Sequence, residues 1–231
     1  MADLVLYGSP ISPFVRKAEF LMRAKGLEFE SENVNVMGMP AWFLEISPAR
    51  RIPVLRDRRI GTEGVPGTIP DSSAICGFLE QLAPTPSFYP EGAYDRGRAL
   101  WYEEYADTEL AGLAGMGIFR PLMFPRFQGG ESDLDTARAT FNDKLPAKLD
   151  YLEKSLDGRD CLVGGGPTIA DVAVVCILSQ IALVALLPDA ARWPSLMALY
   201  ERISTMPAMA ANLETCGRML GKALPEKFDL S

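Results

Sequence analysis

The feature that most constrains this chain is a change of texture after its first third. Residues 84–92 read Pro84-Thr85-Pro86-Ser87-Phe88-Tyr89-Pro90-Glu91-Gly92, a run dense in proline and turn formers, which is the composition of a connection. Before it, short apolar runs alternate with stretches of helical spacing. After it, helical periodicity continues almost to the end, and no internal repeat appears. With 231 residues and 48% hydrophobic content, the chain has enough core-forming residues for two such pieces. The expectation is an α/β unit over 1–83, a linker over 84–93 and an all-helical unit over 94–231.

Within the first piece, residues 3–7 read as a buried strand, 8–13 as a turn, and a helix follows from Pro13 to Gly26. A second strand lies within Phe29–Val36. Ala41–Ile46 is a short helical piece, Ile52–Leu55 a third strand, Thr68-Ile69 part of a fourth, and Ser72 opens another helix ending near Ala83. The order is β-α-β-α-β-β-α. In the second piece, helices are expected over about 94–115, over 134–156 with a bend at Pro146, over 168–187, over 195–205, and in the remainder. The 168–187 segment is long enough to span a membrane. It contains Asp171, Ser179 and Gln180, lacks flanking cations and opens with the capping pattern Thr168-Ile169-Ala170-Asp171, so it reads as a buried core helix.

Composition narrows the chemistry. The net charge is −7. An acidic chain with no basic tract gains nothing from phosphate counterion release, which argues against nucleic acid, and the same charge argues against an anionic membrane surface. Histidine is absent, and Cys76, Cys161, Cys176 and Cys216 are scattered without a C-x-x-C pair. No metal cluster is expected. The commonest general base and every Ser-His or Cys-His nucleophile are removed. Unpaired cysteines and the lack of a signal-peptide pattern lead to the expectation of a cytoplasmic protein.

Three segments carry chemistry. In Tyr7-Gly8-Ser9-Pro10-Ile11-Ser12-Pro13-Phe14, Ser12 stands where a helix begins. There its hydroxyl and the free N–H groups suit a bound thiolate; it equally suits an N-cap. In Arg51-Ile52-Pro53-Val54, a proline interrupts a strand-like run. Either a cis Ile52–Pro53 bond turns the Ile52 backbone toward a ligand or a trans proline opens an edge strand. In Pro70-Asp71-Ser72-Ser73, an acid and a serine precede an apolar run. They suit an α-ammonium and an α-carboxylate, and also suit simple capping.

The order and spacing of these three segments, on this frame, resemble the glutathione transferase superfamily, and the resemblance covers nearly the whole chain. It implies an α/β thioredoxin-like N-terminal domain with a mixed four-stranded sheet, an all-α C-terminal domain, glutathione as co-substrate without a metal, a homodimer and a detoxifying transferase activity. Ser12 matches the serine that activates the thiol in theta-, zeta- and tau-type families, with Tyr7 and Ser9 as alternatives. Arg51, Ile52, Pro53, Asp71 and Ser72 match the glutathione-binding segments, Pro53 with the family's cis bond. Thr168 and Asp171 match a folding motif. The electrophile would lie against the first long helix of the second domain, near Glu104, Asp107, Met116, Phe119, Arg120, Met123 and Phe124, whose Met and Phe side chains make an adaptable apolar wall. Glutathione-dependent reduction, dehalogenation, isomerisation or ether cleavage, or a non-catalytic binding role, are the alternatives. The sequence departs from the pattern twice. Residues 57–69 make a long Gly- and Pro-containing loop, expected to protrude and either to be inert, the favoured reading, or to touch a partner subunit or the ligand, and Pro70 precedes the Asp71-Ser72 pair.

Overall fold

Strand β1 (Leu4–Tyr7) is buried along its whole length, because it is the inner strand of a four-stranded sheet ordered β2-β1-β3-β4. The computed structural model describes residues 2–221, 223–224 and 226–231, and the chain divides into the units Met1–Ser87 and Phe88–Ser231. In the first unit, β1 pairs in parallel with β2 (Phe29–Glu32) and antiparallel with β3 (Val54–Asp57), which pairs antiparallel with β4 (Thr68–Pro70). Between them run helices α1 (Pro13–Ala24), α2 (Ala41–Ile46) and α3 (Ser72–Leu82). This is the expected β-α-β-α-β-β-α order with a mixed sheet.

Side-chain alternation along β1 divides its residues between two faces. Val5 and Tyr7 pack with Val54 and with Phe43 and Ile46 of α2. Leu4 and Leu6 point the opposite way and are equally buried, and the other two helices of the unit, α1 and α3, pack together. The third strand begins two residues later than Ile52 and runs two further, through Arg56 and Asp57. Ile52 stands outside the ladder beside a proline with no N–H to donate. The polar end is kept because both side chains find partners: Arg56 on backbone carbonyls and Asp57 on Arg59.

Those partners also alter the reading of the 57–69 loop. Arg56 is 4% exposed. It donates to the carbonyls of Gly61 (3.1 Å), Pro66 (3.0 Å) and Gly64 (2.7 Å), so the loop is wound around a buried cation. A second clasp holds the end of the unit. Lys25 Nζ donates to the carbonyls of Ala83 and Pro86 and pairs with Glu80, each at 2.7 Å, while Glu80 also accepts from Ser87 Oγ.

The second unit is helical. Its first helical run covers 93–127: α4 (Ala93–Tyr105), π-type turns at Ala106–Leu110 and Leu113–Phe119, and α5 (Arg120–Phe127). It does not stop near Gly115, where the sequence reading ended it. The next run covers 134–156: α6 (Leu134–Ala139), a π turn at Thr140–Lys144 and α7 (Leu145–Leu156). A proline clashes with the carbonyl four residues back. For Pro121 and Pro146 that carbonyl belongs to residues 117 and 142, each inside a π turn, where wider i→i+5 bonding makes room. The two turns meet: a Cβ added to Gly117 would lie 2.5 Å from Thr140 Cγ2.

Helix α8 (Ile169–Ala182) is buried at every position. It ends five residues before Leu187, because the chain past Ala182 turns to bond with the C-terminal segment: Phe228 N–H donates to Val184 O, and Leu186 N–H to Phe228 O. No helix is long and apolar enough to cross a membrane among the described residues. The Asp171 carboxylate accepts from the N–H groups of Thr168 and Leu162, both at 2.8 Å, and from Thr168 Oγ1, completing the capping box. Helices α9 (Pro194–Ser204) and α10 (Pro207–Leu220) follow.

Candidate functional site

Strand register brings the three chemistry-bearing segments to one edge of the sheet. Tyr7 of β1 lies opposite Val54 of β3, and Val54 opposite Pro70 of β4. The turn after Tyr7, the dipeptide before Val54 and the helix start after Pro70 therefore emerge side by side. Two contacts tighten the row. Gly8 has φ +155°, and a Cβ there would meet Val15 Cγ2 at 2.6 Å and Ile52 Cβ at 3.3 Å, so only glycine lets the turn approach both. Asp71 N–H donates to Pro53 O at 3.3 Å. The Ile52–Pro53 peptide is cis, as the resemblance implied.

Ser12 occupies the N-cap position of α1 with extended backbone (φ −66°, ψ 129°), yet its hydroxyl makes no capping bond. Among the described residues no other hydrogen bond engages that hydroxyl, and the residue is half-buried. Its carbonyl accepts from Arg16 N–H. Pro13 has no N–H, and the N–H groups of Phe14 and Val15 have no acceptor within the helix. An unengaged O–H thus stands beside unengaged N–H groups at the positive end of a helix. Ser9 is also half-buried, and its carbonyl accepts from Ser12 N–H. Tyr7 is buried on the α2 face, with its ring edge-on to Trp42 at 5.3 Å.

Ile52 is equally unengaged: neither its N–H nor its C=O has a hydrogen-bond partner among the described residues. The backbone beside it is fixed, because Ser47 Oγ donates to Arg51 O at 2.7 Å and accepts from Arg51 N–H at 3.0 Å. The Arg51 side chain extends into solvent.

Asp71 combines the two roles left open by sequence. It is the N-cap of α3, with Oδ1 accepting from Ser73 N–H (2.9 Å) and Ala74 N–H (3.3 Å); Oδ2 has no partner among the described residues. Its backbone has φ +79° and ψ +136°, a conformation that costs a non-glycine residue about 1–3 kcal/mol and concentrates at ligand sites. Ser72 is 3% exposed, and its hydroxyl has no partner among the described residues.

Residues proposed for the electrophile all lie on the 93–127 run. Glu104, Met116 and Arg120 are exposed, Met116 at 59%. Asp107 and Phe124 are half-buried, and the Arg120 guanidinium lies 5.1 Å from the Phe124 ring centroid. Phe119 and Met123 face the core of their own unit. All four cysteines are buried and none is in a disulfide. Burial pushes the Cys161 thiol up to about 11, helped by the nearby Asp171 charge. No group of three or more Cys, Asp or Glu side chains is arranged to hold a metal ion among the described residues.

Sequence reasoning missed Lys17 and Arg56. Lys17 meets Ser73 from another helix, and Arg56 meets the carbonyls of Gly61, Gly64 and Pro66 in the loop that follows it; no sequence pattern marks either cation as buried.

A mixed β2-β1-β3-β4 sheet with its three helices, followed by an all-helical unit, defines the two-domain thioredoxin-like class. Two family models match the chain: the glutathione S-transferase N-terminal domain over residues 6–87 and the glutathione S-transferase C-terminal domain over 114–207. Together they span well over half of its length. Glutathione S-transferase D6 of Drosophila melanogaster is 27% identical, over 96% of this chain and 99% of that one. Two solved structures share the fold. One is a glutathione S-transferase from Rhodospirillum rubrum F11 (TM-score 0.74, 24% identity, 90% and 91% coverage). The other is FzlA from C. crescentus (TM-score 0.80, 23% identity, 92% of each chain). The chain belongs to the glutathione S-transferase family.

Proposed function

We propose that the protein is a glutathione transferase that joins the glutathione sulfur to an apolar electrophile. The observation that carries this reading is the row Tyr7–Val54–Pro70, which aligns a free hydroxyl, a free peptide edge and a helix N-terminus on one side of the sheet. Each free group matches one part of the tripeptide. The Ser12 O–H donates to the sulfur and, with the N–H groups of α1, favours the thiolate. The N–H and C=O of Ile52 pair with the cysteinyl backbone in the manner of an added strand. Ser72 and the first turn of α3 take the γ-glutamyl carboxylate, and Asp71 takes its ammonium through Oδ2. Arg51 supplies positive charge that attracts the tripeptide carboxylates to an otherwise acidic chain.

The thiol loses its proton to solvent and the resulting thiolate attacks an electrophilic carbon. A C–S bond forms, and the leaving group departs with its electron pair. Ser12 is favoured over Tyr7 because it stands beside the unengaged N–H groups of a helix start, whereas Tyr7 packs against Trp42. Chemistry through an enzyme cysteine is disfavoured by the burial of all four thiols. The helical unit offers Glu104, Asp107, Met116 and Arg120 to the electrophile, while Phe119 belongs to that unit's own core. The protein acts in the cytoplasm as a detoxifying homodimer. Calorimetric titration of the full chain with glutathione tests the reading. Binding in the micromolar to millimolar range, with turnover of an aryl halide, supports it; no heat of binding at millimolar glutathione removes it.

A further inference from the structure

We propose that Ser47 is a positioning residue for the peptide backbone of glutathione, acting through Arg51 on the free edge of Ile52; this rests on the glutathione reading above. Ser47 directly follows α2 and is 1% exposed. Its hydroxyl serves one residue: Oγ donates to Arg51 O at 2.7 Å and accepts from Arg51 N–H at 3.0 Å. The Ser47 carbonyl accepts from Arg50 N–H at 2.9 Å, and the Ser47 N–H donates to Phe43 O at 2.8 Å. The helix end and the segment before Ile52 are thus tied to a single serine. The anchor is firm, because Phe43 and Ile46 of α2 lie in the same buried cluster as Val54.

Ile52 follows this clasp, and neither its N–H nor its C=O has a partner among the described residues. No ladder bond sets the direction of that edge. The Ile52 side chain packs on the buried cluster, which fixes where the residue sits but not the rotation that aims its N–H and C=O. Arg50 explains why a clasp is needed. Its φ is +55°, a left-handed conformation that a non-glycine residue keeps only when its surroundings hold it there. Without the Ser47 hydroxyl, the N–H and C=O of Arg51 lose their partner in the fold. Arg51 is exposed, so both groups turn toward water. Arg50 then relaxes to negative φ, and the Ile52 edge turns with the chain. An extended peptide pairs with such an edge through main-chain hydrogen bonds, which need the N–H and C=O aimed at it. Ser47 therefore acts on the bound tripeptide without touching it.

The test compares two ligands on the full chain: glutathione, and its isostere with an ester oxygen in place of the N–H between the γ-glutamyl and cysteinyl groups. The ester keeps the size and both carboxylates but lacks the donor to Ile52 O. Ser47→Ala is expected to weaken glutathione binding about tenfold, the scale of one or two hydrogen bonds, and ester binding by no more than about threefold. In turnover, KM for glutathione rises while kcat at saturation stays within about twofold. Adding Arg50→Gly to Ser47→Ala is expected to recover most of the loss, because glycine keeps a positive φ without strain. Equal weakening of both ligands by Ser47→Ala, weakening of neither, or no recovery with Arg50→Gly overturns the proposal. If Ser47→Ala does not fold, Ser47→Cys offers only a weak S–H donor and a weak acceptor and carries the same two-ligand comparison. Wild-type protein that binds neither ligand refutes the glutathione reading itself, and this proposal with it. Wild-type protein that binds both ligands equally refutes only the added-strand contact and the role of Ser47.

Discussion

Replacing Ser12 by alanine separates catalysis from stability in a way that ordinary N-caps do not allow. A serine that caps a helix typically contributes about 1 kcal/mol to stability. Ser12 occupies the cap position without making the capping bond, so its hydroxyl gives the native state none of that. Ser12→Ala should change the free energy of unfolding by less than about 0.5 kcal/mol, the range of a neutral surface change. The same hydroxyl, if it donates to the thiolate, is a preorganised donor aimed at developing charge. Losing one such donor lowers the rate about 10²-fold or more, which at 1.36 kcal/mol per decade is about 2.7 kcal/mol of transition-state stabilisation. The assays are urea unfolding and steady-state conjugation of an aryl halide at varied glutathione and pH. In the variant, the kinetic pKa of bound glutathione should rise toward the free thiol value of about 8.5. Full kcat/KM in Ser12→Ala with a large loss in Tyr7→Phe would show that the tyrosine is the donor. A loss of activity matched by more than about 1 kcal/mol of stability would show that the serine is structural.

Three further outcomes follow from the described contacts. Arg56→Met removes the cation at the centre of the 57–69 loop; hydrogen bonds to a charged group contribute about 1.5–3 kcal/mol each, but water replaces part of this on an open loop, so a loss of about 2–4 kcal/mol in urea unfolding is expected, with new protease cleavage inside the loop, and an uncut loop would contradict the clamp. The Arg59 side chain, hydrogen-bonded to Asp57, holds that buried carboxyl below its usual value. Its contribution is therefore present above the unfolded-state value near 3.8 and is lost as pH falls through the lower folded value; Asp57→Asn should flatten the acid side of a Tm–pH curve, and an unchanged slope argues against it. Gly117→Ala forces a Cβ to within 2.5 Å of Thr140 and should cost about 1–3 kcal/mol, most of it relieved by Thr140→Ala; simple additivity of the two changes would refute the contact.

The sheet unit was legible because its signals are local. Apolar runs, the Pro13 and Gly26 punctuation and the cap at Asp71 name each element without reference to a partner. The helical unit was legible in outline only. Gly112, Gly115 and Gly117 look like stop signals, yet the helix runs through them because packing of Gly117 on Thr140 favours continuation. The π turns ahead of Pro121 and Pro146 combine a local clash with a tertiary contact, and only the clash can be read from sequence. The apolar stretch after Thr168 looked longer than α8 because hydrophobicity does not reveal that residues 184–186 bond to Phe228. At the site, residue types were readable and their engagement was not. The same Ser-Pro or Asp-Ser pattern serves a satisfied cap or a free hydroxyl, and strand register decides which groups meet. Lys17 and Arg56 had no signal at all, since a buried cation differs from a surface one only through the folded surroundings, α3 for Lys17 and the wound 57–69 loop for Arg56.

The burial of all four cysteines has a consequence for handling and for evolution. A protein whose ligand is a thiol present at high concentration risks becoming glutathionylated whenever that pool turns oxidising. Here no cysteine is both exposed and acidified, and Cys161 is held well away from its reactive form. The chain should therefore remain free of adducts with its own ligand while native, and mixed disulfides on it would report unfolding rather than regulation.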